Sequence, residues 1–319
     1  MVTATAGNTP GRFRIGNAPC SWGVLEFDGL ASEQVDYTRM LNELVATGYT
    51  GTELGDWGFM PTDPAALHHE LARRAVAMIG AFVPVALRDV AAHAEGVARA
   101  VKTARLLAAV AVPSADITQP VVVLADDNGT DPTRTRFAGR IGAEMGLTSD
   151  EWVVFAAGAT AIARAVREAT GLRTVFHPHC AGWVETPDEI ARLLDRTDPD
   201  LLSLCYDTGH LMYAYAGGDA VASLRRFGDR VGHVHFKDCD PAVASRARTE
   251  GWDYFAAVRG GVFCELGKGA VDFPAVMRLL LEEMRYGGWV VVEQDVFPGL
   301  GTPAESARRN RDYLAAVIQ

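Results

Sequence analysis

The sequence predicts a single (β/α)8 barrel over residues 13–319, behind a flexible N-terminus at 1–12, with long loops after the fourth and seventh strands. Three observations predict it. Eight short apolar runs alternate with Ala/Leu/Arg-rich helical stretches. The runs are rich in Val, Ile and Phe, as parallel strands buried on both faces are. The length, 319 residues, suits one such barrel and a large core.

The elements follow in order. Phe13–Ala18 is the first candidate strand, and the helix Gln34–Thr47 ends at Gly48, a glycine C-cap. Gly51–Leu54, helix Pro64–Arg74, Met78–Val85, helix Ala91–Val110 and Pro120–Leu124 complete the first four strands. Ala125–Asp150 is polar and reads as a long loop. Helix Glu151–Thr170 leads to strand Arg173–His177. Helix Pro187–Arg196 opens with Thr186 as N-cap, Pro187 at the first position and Glu189 at capping-box spacing. Strand Leu202–Tyr206, helix Asp219–Phe227 and strand Val231–Phe236 follow. Asp240–Asp272 is a second long loop. Helix Phe273–Tyr286 ends at Gly287-Gly288, strand Trp289–Glu293 is the eighth, and Thr302-Pro303 opens the last helix, Thr302–Val317. Long loops after barrel strands lie at the face that carries the active site, so a substrate clamp or an oligomer contact is expected there.

Hydrophobic residues make up 49% and charged residues 22%, the composition of a soluble globular protein. The net charge of -10 and the lack of a Lys/Arg run argue against nucleic acid, whose phosphates need a basic face. No stretch approaches the roughly 18 apolar residues of a membrane span, and residues 1–14 have no signal-peptide core. Five scattered cysteines without a CxxC pair point to a reduced, cytoplasmic protein. Neither a dinucleotide fingerprint nor a nucleophile elbow is present.

The chemistry gathers at strand ends. Thr174-Val-Phe-His-Pro-His179, Cys205-Tyr-Asp-Thr-Gly-His210, His233-Val-His-Phe-Lys-Asp238 and Trp289-Val-Val-Val-Glu-Gln-Asp295 each run from apolar residues into His, Asp or Glu. Catalytic residues of such barrels project from the C-terminal strand ends. His233 and His235 share parity, so both point inward. Six of the eight histidines could reach the mouth: His177, His179, His210, His233, His235 and one of the His68-His69 pair. A mixed imidazole and carboxylate set suits Mn, Co, Fe or Zn better than Ca.

These blocks resemble the sugar phosphate isomerase/epimerase superfamily, the xylose-isomerase-like barrels. His177-Pro-His179 with Gly182-Trp-Val-Glu-Thr-Pro187, Gly267-Lys-Gly-Ala-Val-Asp-Phe-Pro274 and Gly48-Tyr-Thr-Gly-Thr-Glu-Leu-Gly-Asp-Trp-Gly58 make the likeness strongest to its inosose (2-keto-myo-inositol) dehydratases. The likeness runs from Ile15 to Tyr313. It implies one divalent metal, Mn or Co first and Zn, Fe or Mg also in range, held by Asp207, His235, Glu293 and a fifth-strand residue. Many relatives carry Glu at that fifth position. This chain offers His177, with His179 competing for the place.

The resemblance implies proton abstraction beside a carbonyl, with the metal stabilising the enediolate. Expelling a β-hydroxyl gives a hydro-lyase acting on a keto-cyclitol such as 2-keto-myo-inositol. Reprotonation gives instead an isomerase or epimerase of a sugar or keto-sugar, and a lyase on an oxidised (3-keto) glycoside would use the same enolisation. His210 is the preferred acid/base, against a role in orienting Asp207. His179, Lys237 and Glu53 are further proton-transfer candidates. Lys237 could instead pair with Asp238 or Asp240, and Glu53 with a partner at the barrel rim. His233, Trp22 and Trp57 are candidate substrate contacts, the tryptophans as walls for a ring or as ordinary packing. The partner expected is a small polyol or keto-sugar, with no nucleic acid and no membrane, and a homo-oligomer is compatible.

Overall fold

The computed structural model describes residues 14–23, 35–112, 118–216, 218–297 and 299–317; the N-terminal segment expected to be flexible lies outside them. Seven strands form in order: β1 (Arg14–Asn17), β2 (Gly51–Glu53), β3 (Ala77–Pro84), β4 (Val121–Ala125), β5 (Arg173–Phe176), β6 (Leu202–Asp207) and β7 (Val231–Phe236). A small antiparallel pair follows, β8 (Asp238–Cys239) with β9 (Phe263–Cys264). β10 (Trp289–Val292) then closes the barrel, in the order β1-β10-β7-β6-β5-β4-β3-β2 with parallel pairing throughout. This is the predicted (β/α)8 barrel, with the eighth expected strand realised as β10.

Alternation along the strands sorts residues into two cores. Leu204, Tyr206, Val234, Phe236, Val290 and Val292 join the large core that includes the helices. Val123, Val175 and Cys205 form a separate cluster, as do Ile79, Trp289 and Val291. These are the inward positions. Val175, Cys205 and Val291 are fully buried and floor the barrel. Two residues further along each strand direction stand His177, Asp207 and Glu293. The parity that packs the floor therefore also turns the site residues inward.

Helices start where the sequence supplies caps. Asp36, Asp63, Asp89, Asp219 and Asp272 each accept a backbone N–H from the first turn. Thr186 and Glu189 form the expected reciprocal capping box. The helix expected to reach Tyr286 is α-helical only over Phe273–Arg278, then passes through a π turn at Leu279–Glu283.

The two expected loops carry structure of their own. The first contains helix Pro132–Phe137, and the second contains helices Pro241–Glu250 and Tyr254–Arg259. They are bound to each other. Arg140 donates to the Ala247 and Arg248 carbonyls, and Arg248 donates to the Gly139 and Tyr213 carbonyls. Asp238 holds the end of the second excursion, accepting N–H groups from Gly267, Gly269 and Val271. Among the described residues no helix is long and apolar enough to cross a membrane.

Candidate metal centre and active site

Four strand ends converge at the mouth. His177 Nε2 lies 3.0 Å from His235 Nδ1, and His235 Nδ1 lies 3.1 Å from Glu293 Oε1. Asp207 Oδ2 is 3.5 Å from His177 Nε2 and 3.9 Å from His235 Nδ1. Donors about 2.1 Å from one ion sit roughly 3.0–3.4 Å from each other, so this spacing suits a shared cation. The sequence motif placed Asp207 where it serves two tasks. Oδ1 caps helix Thr208–Ala214 by accepting the His210 N–H at 2.8 Å. Oδ2 is buried with no hydrogen-bond partner, the state of an oxygen that a metal would satisfy.

Electrostatics agree with that test. Glu53, Asp207, Glu293 and Asp295 are four buried carboxylates around a single lysine, Lys237. Burial raises the Asp207 pKa, with Lys237 only partly offsetting it. Burial also lowers those of His177, His179 and His210 well below the usual imidazole range, whereas at His235 burial is outweighed by Cys205, Glu293 and Glu53 and the pKa rises, so a cation bound there would displace a proton. Burial opposes charge on Lys237 too, but Asp295 and Glu293 outweigh it and raise its pKa, so it is an ammonium. Its Nζ lies 3.1 Å from Glu293 Oε2, 3.4 Å from Asp295 Oδ2 and 3.4 Å from His210 Nε2, and it faces the Phe263 ring at 4.9 Å. Pairing with Asp238 or Asp240, the bland expectation, does not occur.

Of the two fifth-strand histidines, His177 joins the donor cluster. His177 faces Asp207 and His235, whereas His179 stacks on the His177 ring at 3.8 Å, with the two Nδ1 atoms 3.0 Å apart. His179 also meets Phe82 edge-on at 5.5 Å. His210 accepts the Cys180 N–H at Nδ1, 3.2 Å away, and its Nε2 lies 3.4 Å from the Lys237 ammonium.

A cavity of about 670 Å³, open to solvent, lies over this cluster. Its lining includes Glu53, His177, His179, His210, His235, Lys237 and Glu293, as the sequence suggested, and also Phe82, Asn128, Tyr254 and Asp295. Other expectations do not reach it. Trp22 is wholly buried, its indole N–H donating to Glu43 at 2.8 Å. Trp57 is partly exposed on the outside, under the Lys102 ammonium. His68 and His69 lie exposed on helix Pro64–Ala72. His233 lies within the barrel, bonded to Glu53, and does not line the cavity.

The family model described as "Xylose isomerase-like TIM barrel" matches residues 41–317. The chain belongs to this family. It is 32% identical to an inosose dehydratase of Geobacillus kaustophilus (strain HTA426), over 96% of this chain and 95% of that one. It is 30% identical to an inosose dehydratase of Lacticaseibacillus casei, over 95% and 97%. Solved structures with the same fold include a probable 3-DHS dehydratase from Bacillus anthracis (13% identity, TM-score 0.67, 95% and 99% covered). An L-ribulose 3-epimerase also shares it (17% identity, TM-score 0.67, 96% and 95% covered). The protein is an enzyme, a hydro-lyase.

Proposed function

We propose that the protein dehydrates a keto-cyclitol such as 2-keto-myo-inositol, with one divalent ion, Mn or Co, held by His177, Asp207, His235 and Glu293. The single observation that carries this reading is the partnerless, buried Asp207 Oδ2 among four converging donors, in a chain similar over its full length to inosose dehydratases. When bound, the ion would supply Lewis-acid polarisation of the substrate ketone.

The chain's own groups divide the proton work. Lys237 is an ammonium, and the nitrogen bases on the cavity wall outside the proposed ligand set are the neutral rings of His179 and His210, of which His179 is assigned the abstraction. His179 takes the proton from the carbon beside the ketone. Lys237 gives its proton to the departing β-hydroxyl, which leaves as water while the carbon–carbon double bond forms. Solvent then takes the proton from His179 and restores the one on Lys237. Among the described lining residues Lys237 is the only lysine or arginine, and it is paired with Glu293 and Asp295. All five cysteines are unpaired, in keeping with a reduced cytoplasmic setting.

The test is direct. Mn- or Co-loaded protein is incubated with 2-keto-myo-inositol, and the absorbance of the enone-type product is followed. Growth of that absorbance supports the reading. No product, together with turnover of a ketose or a 3-keto-glycoside, replaces it with an isomerase, an epimerase or a glycoside lyase.

A further inference from the structure

We propose that Glu53 is a positioning residue of the metal centre. It holds the proton of His235 on Nε2 and so keeps Nδ1 free to ligate. The inference rests on the metal reading above, and concerns a residue that would otherwise pass for an acid–base catalyst.

His233 and His235 both aim Nε2 at one oxygen. Glu53 Oε1 lies 2.8 Å from His233 Nε2 and 2.9 Å from His235 Nε2, and all three side chains are buried. A carboxylate oxygen in these contacts only accepts, so both Nε2 atoms carry protons. With Nε2 committed to Glu53, Nδ1 is the ring atom left to face a metal, which would take the place of any proton on it. Nδ1 is the atom that meets His177 Nε2 and Glu293 Oε1. One ring thus bridges Glu53 on one side and the donor cluster on the other.

The backbone is built for this reach. Glu53 ends β2, which is separated from β7 by β1 and β10, so the bond crosses the barrel interior. The β2–β3 register breaks between Thr52 and Glu53. The β6–β7 register breaks where Leu204 pairs with Val231 and Cys205 with His233. Such irregularities re-aim side chains beside functional sites. His233 then acts as a brace: its second bond to the same oxygen stops Glu53 from turning away from His235. Outer carboxylates of this kind fix the tautomer and orientation of a ligating histidine.

The test uses Mn²⁺ alone, titrated calorimetrically into the metal-stripped full-length protein. The variants are Glu53→Ala, Glu53→Gln and His233→Ala, each checked for fold by far-UV circular dichroism. Glu53→Ala is expected to raise the Kd about 10–100-fold with one ion still bound per chain. Glu53→Gln, which keeps the size and a carbonyl acceptor, should raise it less and covers the case in which the alanine variant does not fold. His233→Ala should also have the smaller effect. With Co²⁺, a shifted visible spectrum in Glu53→Ala is the second readout. Unchanged Kd in both Glu53 variants, with turnover lost, would make Glu53 a proton-transfer group and overturn the proposal. A fall from two bound ions to one would overturn it in favour of Glu53, His233 and His235 as ligands of a second ion. Absence of Mn²⁺ binding by the unaltered protein would overturn the metal reading itself, and this proposal with it.

Discussion

Replacing Arg134 with Met probes the clamp that holds the loops beside the site. Arg134 is fully buried. Nη1 and Nη2 donate to Glu189 Oε1 and Oε2 at 2.8 and 2.9 Å, and Nε donates to the Gly182 carbonyl at 2.7 Å. Breaking a buried pair costs about 3–5 kcal/mol. Glu189 Oε2 keeps the N–H groups of Glu185 and Thr186, both at 2.9 Å, so the loss falls near the lower end, ~3 kcal/mol. The orphaned Gly182 carbonyl adds about 1 kcal/mol. Urea denaturation followed by circular dichroism should therefore show Arg134→Met destabilised by ~4 kcal/mol, read from the midpoint at unchanged slope. The double variant Arg134→Met/Glu189→Leu should recover about half of this, because an apolar pair removes both buried charges. It should retain a deficit of about 2 kcal/mol, ~1 from the lost capping box and ~1 from the Gly182 carbonyl, which stays orphaned. A single-variant loss below about 1 kcal/mol would refute the reasoning, since it would mean the pair is not desolvated as its burial implies.

Two further outcomes follow from the same structure. Lys237→Met should lower kcat by about 10²–10⁴-fold while Mn²⁺ binding persists, because the ammonium delivers a proton and ligates nothing; metal loss without a kcat effect in the residual loaded fraction would contradict that role. Glu185 accepts the Gly139 and Ala181 N–H groups, yet burial pushes its pKa up to about 7 from 4.5. The raised value means that its share of stability is present below pH 4.5 and is lost as pH rises through about 7. The difference in denaturation midpoint between the unaltered protein and Glu185→Gln should shift across that window, and a flat difference from pH 4.5 to pH 8 would contradict it.

The barrel was legible because burial on both faces forces apolar runs, and the proposed metal donors stand out in the sequence because they end those runs. Alternation carried further than its first use: it turns His233 and His235 inward, and at the same spacing brings Lys237 to Glu293 and Asp295. Asp131-Pro132 and Asp240-Pro241 carried the same start signal as Thr186-Pro187, but the polarity around them read as loop. Trp22 and Trp57 misled because residue type does not say whether a strand-end aromatic turns to the mouth or to the helix layer. Trp22 turned to Glu43 and the core. The bond of Glu53 to His233 and His235 spans most of the chain, so spacing along the sequence offers no sign of it.

The central claim is that four strand ends hold one catalytic ion, and anomalous scattering from crystals grown with Mn²⁺ or Co²⁺ tests it most directly. The account predicts one peak within bonding distance of His177 Nε2, Asp207 Oδ2, His235 Nδ1 and Glu293 Oε1. A peak bonded to His179 in place of His177, a peak between Glu53 and His233, or no peak at the barrel mouth would contradict it.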